Sequence, residues 1–173
     1  DKAVKILNRV ISWDEEGIKY EPDQRHSEII TQALEDINGT QTITSPSRKW
    51  RPDELTGTAD EEVTGWQATQ YRAIVARANY LSQDRSDVQY AVKELSRTAS
   101  KPRQSDSRAL KRLARYLAGV TRVVHKFRYQ RWDGVVRVWT DTDYAGCLRT
   151  RKSTSGGVAM FGQHCLKTWS VNQ

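Results

Sequence analysis

Several residue types and patterns are scarce in this sequence of 173 residues, and each scarcity excludes a class of protein. No run of about 18 apolar residues occurs, so nothing in the sequence is expected to span a membrane. Cys147 and Cys165 are the two cysteines and lack Cys-x-x-Cys spacing, which indicates reduced structural thiols and an intracellular setting. The three histidines are scattered, without the spacing of a zinc site or a catalytic triad.

The sequence also has no starting Met and no basic and apolar leader, which indicates a piece of a longer protein. Its length allows one domain or two small ones. A hydrophobic content of 37% and a charged content of 28% are typical of a soluble protein with much exposed surface.

Charge is distributed unevenly along the chain. Residues 1–68 hold 8 Lys or Arg against 14 Asp or Glu, a net charge of −6, whereas residues 69–173 hold 20 against 7, a net charge of +13. A basic half of this size favours a polyanionic partner, most simply nucleic acid. The alternative is a basic surface that is only solvated.

The most informative stretch is residues 135–146, where a β-branched and aromatic run leads into two acidic residues. Residues 135–140 have the composition of a strand, which would hold Asp141 on rigid backbone, as a metal site requires. Residues 155–161 and 164–170 predict two further strands, joined by a Gly162-Gln163 hairpin turn. The acid therefore lies on the first strand of a predicted antiparallel meander.

Two other classes of protein share the Asp-x-Asp core of Asp141 and Asp143. An EF-hand loop would need an oxygen ligand at its fifth position and Glu at its twelfth, where this chain has Ala145 and Lys152. A phosphatase would need a crossover helix and a parallel sheet afterwards, and a hairpin follows instead. A third interpretation makes both acids caps of a turn after the strand.

The first part of the chain predicts a hairpin and a helix. Residues 6–13 and 18–21 have strand composition around a turn at residues 14–17. Asp23 is expected to cap a helix that runs to about Asp36 and ends at Asn38-Gly39. Residues 40–64 lose all periodicity, which predicts a linker ordered at most by Trp50 and Leu55.

Three helices are predicted next, over residues 70–82, 86–100 and 105–118. Each has an apolar face, and the third also has a basic one at spacings i, i+3, i+4 and i+7. The basic face consists of Arg108, Lys111, Arg112 and Arg115. Like charges at these spacings repel each other. Bound phosphates would offset this repulsion. A solvated basic face is the alternative.

The C-terminal motifs resemble the start of the ribonuclease H domain of copia-type retrotransposon polyproteins. They are Trp139-Thr140-Asp141-Thr142-Asp143-Tyr144-Ala145-Gly146, Arg151-Lys152-Ser153-Thr154-Ser155-Gly156 and Trp169-Ser170. The helices are similar to the connection helices of that family, for example in Lys111-Arg112-Leu113-Ala114-Arg115-Tyr116-Leu117-Ala118-Gly119. The resemblance covers residues 69–173 and, more loosely, residues 1–45, which are similar to the end of the reverse transcriptase. The polymerase signature Tyr-x-Asp-Asp is absent, so the resemblance does not imply polymerase activity for this chain.

The resemblance implies hydrolysis of the RNA strand of RNA·DNA hybrids with two Mg²⁺ ions and about four carboxylates. It implies that Asp141 is the first metal ligand, and we treat Asp143 as an accessory one. The family's next carboxylate follows the third strand, and no Asp or Glu follows Asp143 here. We therefore expect this polypeptide not to cleave by itself. Arg149, Arg151 and Lys152 could contact phosphates near the scissile bond or form an exposed charged loop.

The resemblance also implies further partners and a location. The remainder of the Pol polyprotein and nucleic acid, as hybrid or duplex, are the expected partners, and no membrane is expected. A cytoplasmic particle or the nucleus is the expected location.

We expect an α+β fold whose domains follow the sequence in order. These are a reverse transcriptase hairpin and helix (1–39), a linker (40–68), a helical connection segment (69–120) and the first part of a ribonuclease H-like domain (121–173). The incomplete sheet would expose one edge and one face, which predicts marginal stability or rescue by association. Trp139 and Trp169 are expected in its core.

Three functions compete for this chain. It is a fragment of a polyprotein whose intact form transcribes and cleaves, a basic module that binds nucleic acid without catalysis, or a translated remnant without activity.

Overall fold

The computed structural model describes residues 2–34, 41–48, 60–131 and 133–173. It has an α+β fold of four helices and two antiparallel sheets within these residues, which confirms the predicted class. The chain divides into two compact units, one formed by Asp1–Asp23 with Arg122–Gln173 and the other by Gln24–Thr121. The predicted domains follow sequence order, whereas the first unit joins the two ends of the chain.

The first sheet has the order β1-β2-β3-β4, with every neighbouring pair antiparallel. Its strands are β1 (Ala3–Ile6), β2 (Arg9–Trp13), β3 (Gly17–Glu21) and β4 (His125–Arg128). The single strand predicted over residues 6–13 is wrong, because the chain turns at Leu7-Asn8 with φ of 49° and 63°. Positive φ at both central residues is the geometry of a tight hairpin turn, which Asn tolerates well. Strand β4 was not predicted.

Gly17 allows β4 to lie against β3. Its φ is +152°, and a Cβ atom there would lie 2.2 Å from the carbonyl oxygen of Phe127. The turn before it is closed by Asp14, whose Oδ1 accepts the amides of Glu16 at 2.9 Å and Gly17 at 3.2 Å. Only glycine fits this position without moving backbone.

The second sheet is the predicted meander, in the order β5-β6-β7. Its strands are β5 (Val136–Thr142), β6 (Thr154–Phe161) and β7 (His164–Asn172), with Gly162 at φ 56° in the hairpin turn. Trp169 is half-buried and covers Gly157, where a Cβ atom would lie 2.1 Å from the indole ring. The core position expected for Trp139 is wrong: this side chain is 52% exposed, and all seven residues of β5 are exposed, so neither face of this strand is covered by the described residues.

The helical unit contains α1 (Arg25–Gln32), α2 (Gly65–Leu81), α3 (Gln89–Arg97) and α4 (Gln104–Gly119), with a 3₁₀ turn at Ser86–Val88. Asp23 is not the cap of α1, because Gln24 occupies that position. Helix α2 begins five residues before its predicted start, inside the predicted linker. The predicted helix end at residues 36–39 and the predicted anchors Trp50 and Leu55 lie outside the described residues.

The predicted apolar faces of the last three helices meet in one core. Its buried members are Ile30, Tyr71, Ile74, Val75, Ala78, Leu81, Val88, Ala91, Val92, Leu95, Leu110, Leu113, Ala114 and Leu117. The helical spacing of apolar residues therefore predicted the packing surfaces correctly. Within the described residues, none of the helices combines the length and apolarity needed to cross a bilayer.

Candidate nucleic-acid interface and metal site

Asp141 lies on β5, where it was predicted, opposite Gly156 of β6. Its side chain is exposed, and its Oδ1 accepts the amide hydrogen of Thr142 at 2.9 Å. The regular pairing of β5 with β6 fixes the backbone that carries this carboxylate. A rigid and exposed carboxylate is a suitable ligand for a hard cation such as Mg²⁺.

Asp143 follows the end of β5 and closes the loop that leads to β6. Its amide donates to the carbonyl of Thr154 at 3.1 Å, and its Oδ1 accepts the amide hydrogen of the same residue. The carboxylate lies over Gly146, where a Cβ atom would be 1.8 Å from Oδ2. These contacts are those of a loop cap, the alternative role considered for this acid.

The described residues do not fit a two-metal centre. Such a centre needs several carboxylates around two ions about 4 Å apart. Nowhere in the described parts of the chain do three or more His, Cys, Asp or Glu side chains come together as a metal site. Asp141 and Asp143 supply two carboxylates, and one oxygen of Asp143 already bonds a backbone amide.

The basic loop between β5 and β6 is held by its own backbone. The amide of Arg151 donates to the carbonyl of Cys147 at 2.8 Å, and the amide of Cys147 donates to the carbonyl of Lys152 at 3.2 Å. Arg149, Arg151 and Lys152 are all exposed. Three cations on a short loop with internal hydrogen bonds present positive charge to solvent beside the strand that carries Asp141.

The four residues of the basic face of α4 differ in how exposed they are. Arg108 and Lys111 are exposed, whereas Arg112 and Arg115 are partly buried. Arg115 donates from Nε and Nη2 to the carbonyl of Gln41, at 3.0 and 2.7 Å. The Nε of Arg112 is buried without a hydrogen-bond partner. Helical spacing predicted the common face but not that Arg115 holds a distant segment.

Sequence reasoning missed a polar network in the helical unit. Arg85 is 2% exposed and donates to both carboxylate oxygens of Asp87, at 2.9 and 2.7 Å, and to the carbonyl of Val120 at 3.1 Å. The hydroxyl of Tyr116 donates to Asp87 at 2.8 Å. Nothing in the spacing of Arg85 and Tyr116 indicates this contact, because it forms only when α4 packs beside the 3₁₀ turn.

The network changes the acidity of two of its members. Burial opposes ionisation of Asp87, but the hydrogen bonds and charge of Arg85 and the hydroxyl of Tyr116 outweigh it, so the pKa of Asp87 lies below 3.8. Burial, followed by the contact with Asp87, raises the pKa of Tyr116 above 10. Asp87 is therefore charged at neutral pH and holds α4 to the 3₁₀ turn.

Comparisons with known proteins relate part of the chain to transposon proteins. It is 35% identical over 103 residues, 59% of its length, to each of two proteins of Arabidopsis thaliana, the "Retrovirus-related Pol polyprotein from transposon RE1" and that from transposon RE2. It is also 32% identical over 104 residues to the "Uncharacterized mitochondrial protein AtMg00810" of the same plant. The chain is thus similar to part of retrotransposon Pol polyproteins.

These similarities cover only a part of each relative. The chain spans 7% of the length of the two Pol polyproteins and 42% of the mitochondrial protein. No family model matches the chain, and no solved structure matches it.

Proposed function

We propose that this chain is a fragment of a copia-type retrotransposon Pol polyprotein. It runs from the end of the reverse transcriptase, through the connection helices, into the N-terminal half of the ribonuclease H domain. The observation that carries this proposal is the 35% identity to two Pol polyproteins over 59% of the chain. The rest of the polyprotein is its partner, in a cytoplasmic particle or in the nucleus.

The intact polyprotein would combine reverse transcription with Mg²⁺-dependent cleavage of RNA in RNA·DNA hybrids. In that setting Asp141 is the metal ligand and Asp143 an accessory acid. We infer that this chain does not cleave by itself, an inference supported by the lack of any Asp or Glu after Asp143 and by the lack of a group of three possible metal ligands among the described residues. Further carboxylates from elsewhere in the polyprotein would be needed to complete a two-metal site.

The activity that the chain retains is binding of nucleic acid through exposed cations. Arg108 and Lys111 on α4 and the three cations of the loop between β5 and β6 support it. Contacts to phosphate are electrostatic and insensitive to base sequence. An RNA·DNA hybrid or another duplex is therefore the expected ligand. A translated remnant without activity is the remaining alternative.

A cleavage assay on a labelled RNA·DNA hybrid with Mg²⁺ tests the catalytic part of the proposal. The chain and its Asp141→Asn variant should both leave the RNA strand intact. Cleavage by the unaltered chain that the substitution abolishes would contradict inactivity and identify Asp141 as a ligand. Cleavage by both would also contradict inactivity of the chain, unless a second purification separates the cleaving activity from the chain and so identifies a contaminating nuclease.

A further inference from the structure

A pocket of about 620 Å³ lies within the helical unit, among the end of α1, the first turns of α2 and the first half of α4. This volume falls in the usual range for sites that hold a small molecule. The pocket is open to solvent on one side, so a group attached to a longer chain can enter it. Its walls come from three segments far apart in sequence, and no local pattern indicates it.

The floor of the pocket is apolar. Val63, Ile74 and Leu110 line it, and all three side chains are buried. Tyr71 adds aromatic surface to the floor, while its hydroxyl donates to the carbonyl of Leu95 at 2.9 Å. The floor therefore offers a ligand hydrophobic and aromatic contact, and the hydroxyl of Tyr71 is already engaged elsewhere.

The rim of the pocket is polar and carries four glutamine amides. They come from the end of α1, the first two turns of α2 and the first residue of α4, as Gln32, Gln67, Gln70 and Gln104. All four side chains are exposed. An amide group offers a donor and an acceptor side by side. The edges of nucleobases show the same pattern, and glutamine can pair with adenine through both groups at once.

The charge at the rim indicates the charge of the ligand. Lys111 lines the pocket, and no Asp or Glu is among the described residues that do so. Arg108 lies one turn before Lys111 on α4 and is exposed. A positive group would meet a cation without a compensating carboxylate, whereas a phosphate beside Lys111 is favoured. An apolar floor, an amide rim and a cation at the mouth are together complementary to a nucleotide.

We propose that this pocket holds one unpaired base of a bound nucleic-acid strand, with a phosphate of the same strand at Lys111. The assignment rests on the proposed function, in which Arg108 and Lys111 contact phosphates. A base that is paired and stacked inside a duplex cannot reach the floor, so the pocket selects a strand with an unpaired nucleotide. The apolar and aromatic floor replaces the stacked neighbours of that base. The chain therefore prefers a hybrid with a bulged nucleotide over a fully paired one.

Fluorescence anisotropy of the full chain with three labelled RNA·DNA hybrids tests this preference. One hybrid is fully paired, the second has a single bulged adenosine, and the third has the same bulge without its base. The second should bind about tenfold more tightly than the other two, because it alone supplies a base for the pocket. The third separates the base from the easier bending of a bulged duplex. Equal affinities for the two bulged hybrids would overturn the proposal.

Replacement of two rim amides tests where the base binds. Gln67→Met combined with Gln104→Met removes two amides at exposed positions and keeps helix propensity, so the helical unit should fold as before. The double variant should lose most of the preference for the bulged base and keep its affinity for the fully paired hybrid. Gln83→Met is the matched control, because Gln83 is exposed and does not line the pocket. A double variant with the full preference would overturn the proposal.

Free adenosine monophosphate tests the pocket without any duplex. At about millimolar concentration, where weak binding of a small ligand is measurable, it should shift the side-chain amide NMR signals of Gln67 and Gln104 and leave that of Gln83 unchanged. Such shifts in a chain that binds no hybrid would contradict the proposed function and retain the pocket. Binding of the fully paired hybrid without these shifts would overturn the pocket and retain the proposed function. Absence of both would overturn both.

Discussion

The ion pair between the buried side chain of Arg85 and the partly exposed carboxylate of Asp87 should contribute strongly to the stability of the helical unit. Arg85→Ala would leave the half-buried carboxylate of Asp87 without its cation and the carbonyl of Val120 without its donor. Removing one member of a buried ion pair costs about 3–5 kcal/mol, and the lower end applies because the side chain of Asp87 is 30% exposed. We therefore expect a loss of about 3 kcal/mol.

Thermal unfolding followed by far-UV circular dichroism measures this loss. For a unit of about 100 residues, about 3 kcal/mol corresponds to a decrease in Tm of about 12–24 °C. Arg72→Ala is the matched control, because Arg72 is exposed and its contact with Thr69 is a single 3.2 Å hydrogen bond. The control should change stability by less than about 0.5 kcal/mol. Equal Tm values for the two variants would refute the role assigned to Arg85.

Two further predictions concern pH and backbone. The pKa of Asp87 is lower in the folded state, so its contribution is complete above about pH 5 and is lost as the pH falls through the folded value. Urea unfolding at pH 5 and pH 3 should show a steeper loss for the unaltered chain than for Asp87→Asn, and equal losses would contradict the assignment. Gly17→Ala should cost about 3 kcal/mol in urea unfolding because its Cβ atom meets Phe127, whereas Gly134→Ala should cost about 1 kcal/mol because Gly134, at φ 74°, has open space around it. Similar costs for both substitutions would show that the positive φ alone, and not the contact with Phe127, determines the loss of stability.

The helical faces could be predicted because apolar spacing reports directly which side of a helix is buried. Leu110, Leu113, Ala114 and Leu117 show this, since all four are at most 3% exposed. The meander was equally predictable from β-branched runs and from the Gly162 turn. The local sequence pattern is sufficient to predict an element where the periodicity of its apolar residues matches the face that it buries.

Contacts between distant segments could not be predicted in this way. Strand β4 pairs with β3 across more than 100 residues of sequence, and its four residues have no strong pattern of their own. Arg115 was predicted to contact phosphate, and the sequence did not indicate that its Nε and Nη2 donate to the carbonyl of Gln41. The Leu7-Asn8 turn was missed because Leu7 resembles the strands on either side, although Asn8 is a residue that favours turns. Tertiary pairing, not local propensity, determined each of these features.

The candidate site was predictable in position rather than in environment. Sequence placed Asp141 on a strand and Asp143 beside it, which is where both lie. That Asp143 caps a loop through Thr154 depends on how β5 and β6 close, which no spacing rule specifies.

The most direct test of the central claim is binding of an RNA·DNA hybrid by fluorescence anisotropy over a range of salt concentrations. The logarithm of the association constant should fall linearly with the logarithm of salt concentration. Replacing Arg108 and Lys111 with Ala should reduce that slope by about 1–2, whereas Arg72→Ala should change it by less, because Arg72 is not one of the cations proposed to contact phosphate. No binding at low salt, or binding that salt and these substitutions leave unchanged, would contradict the account.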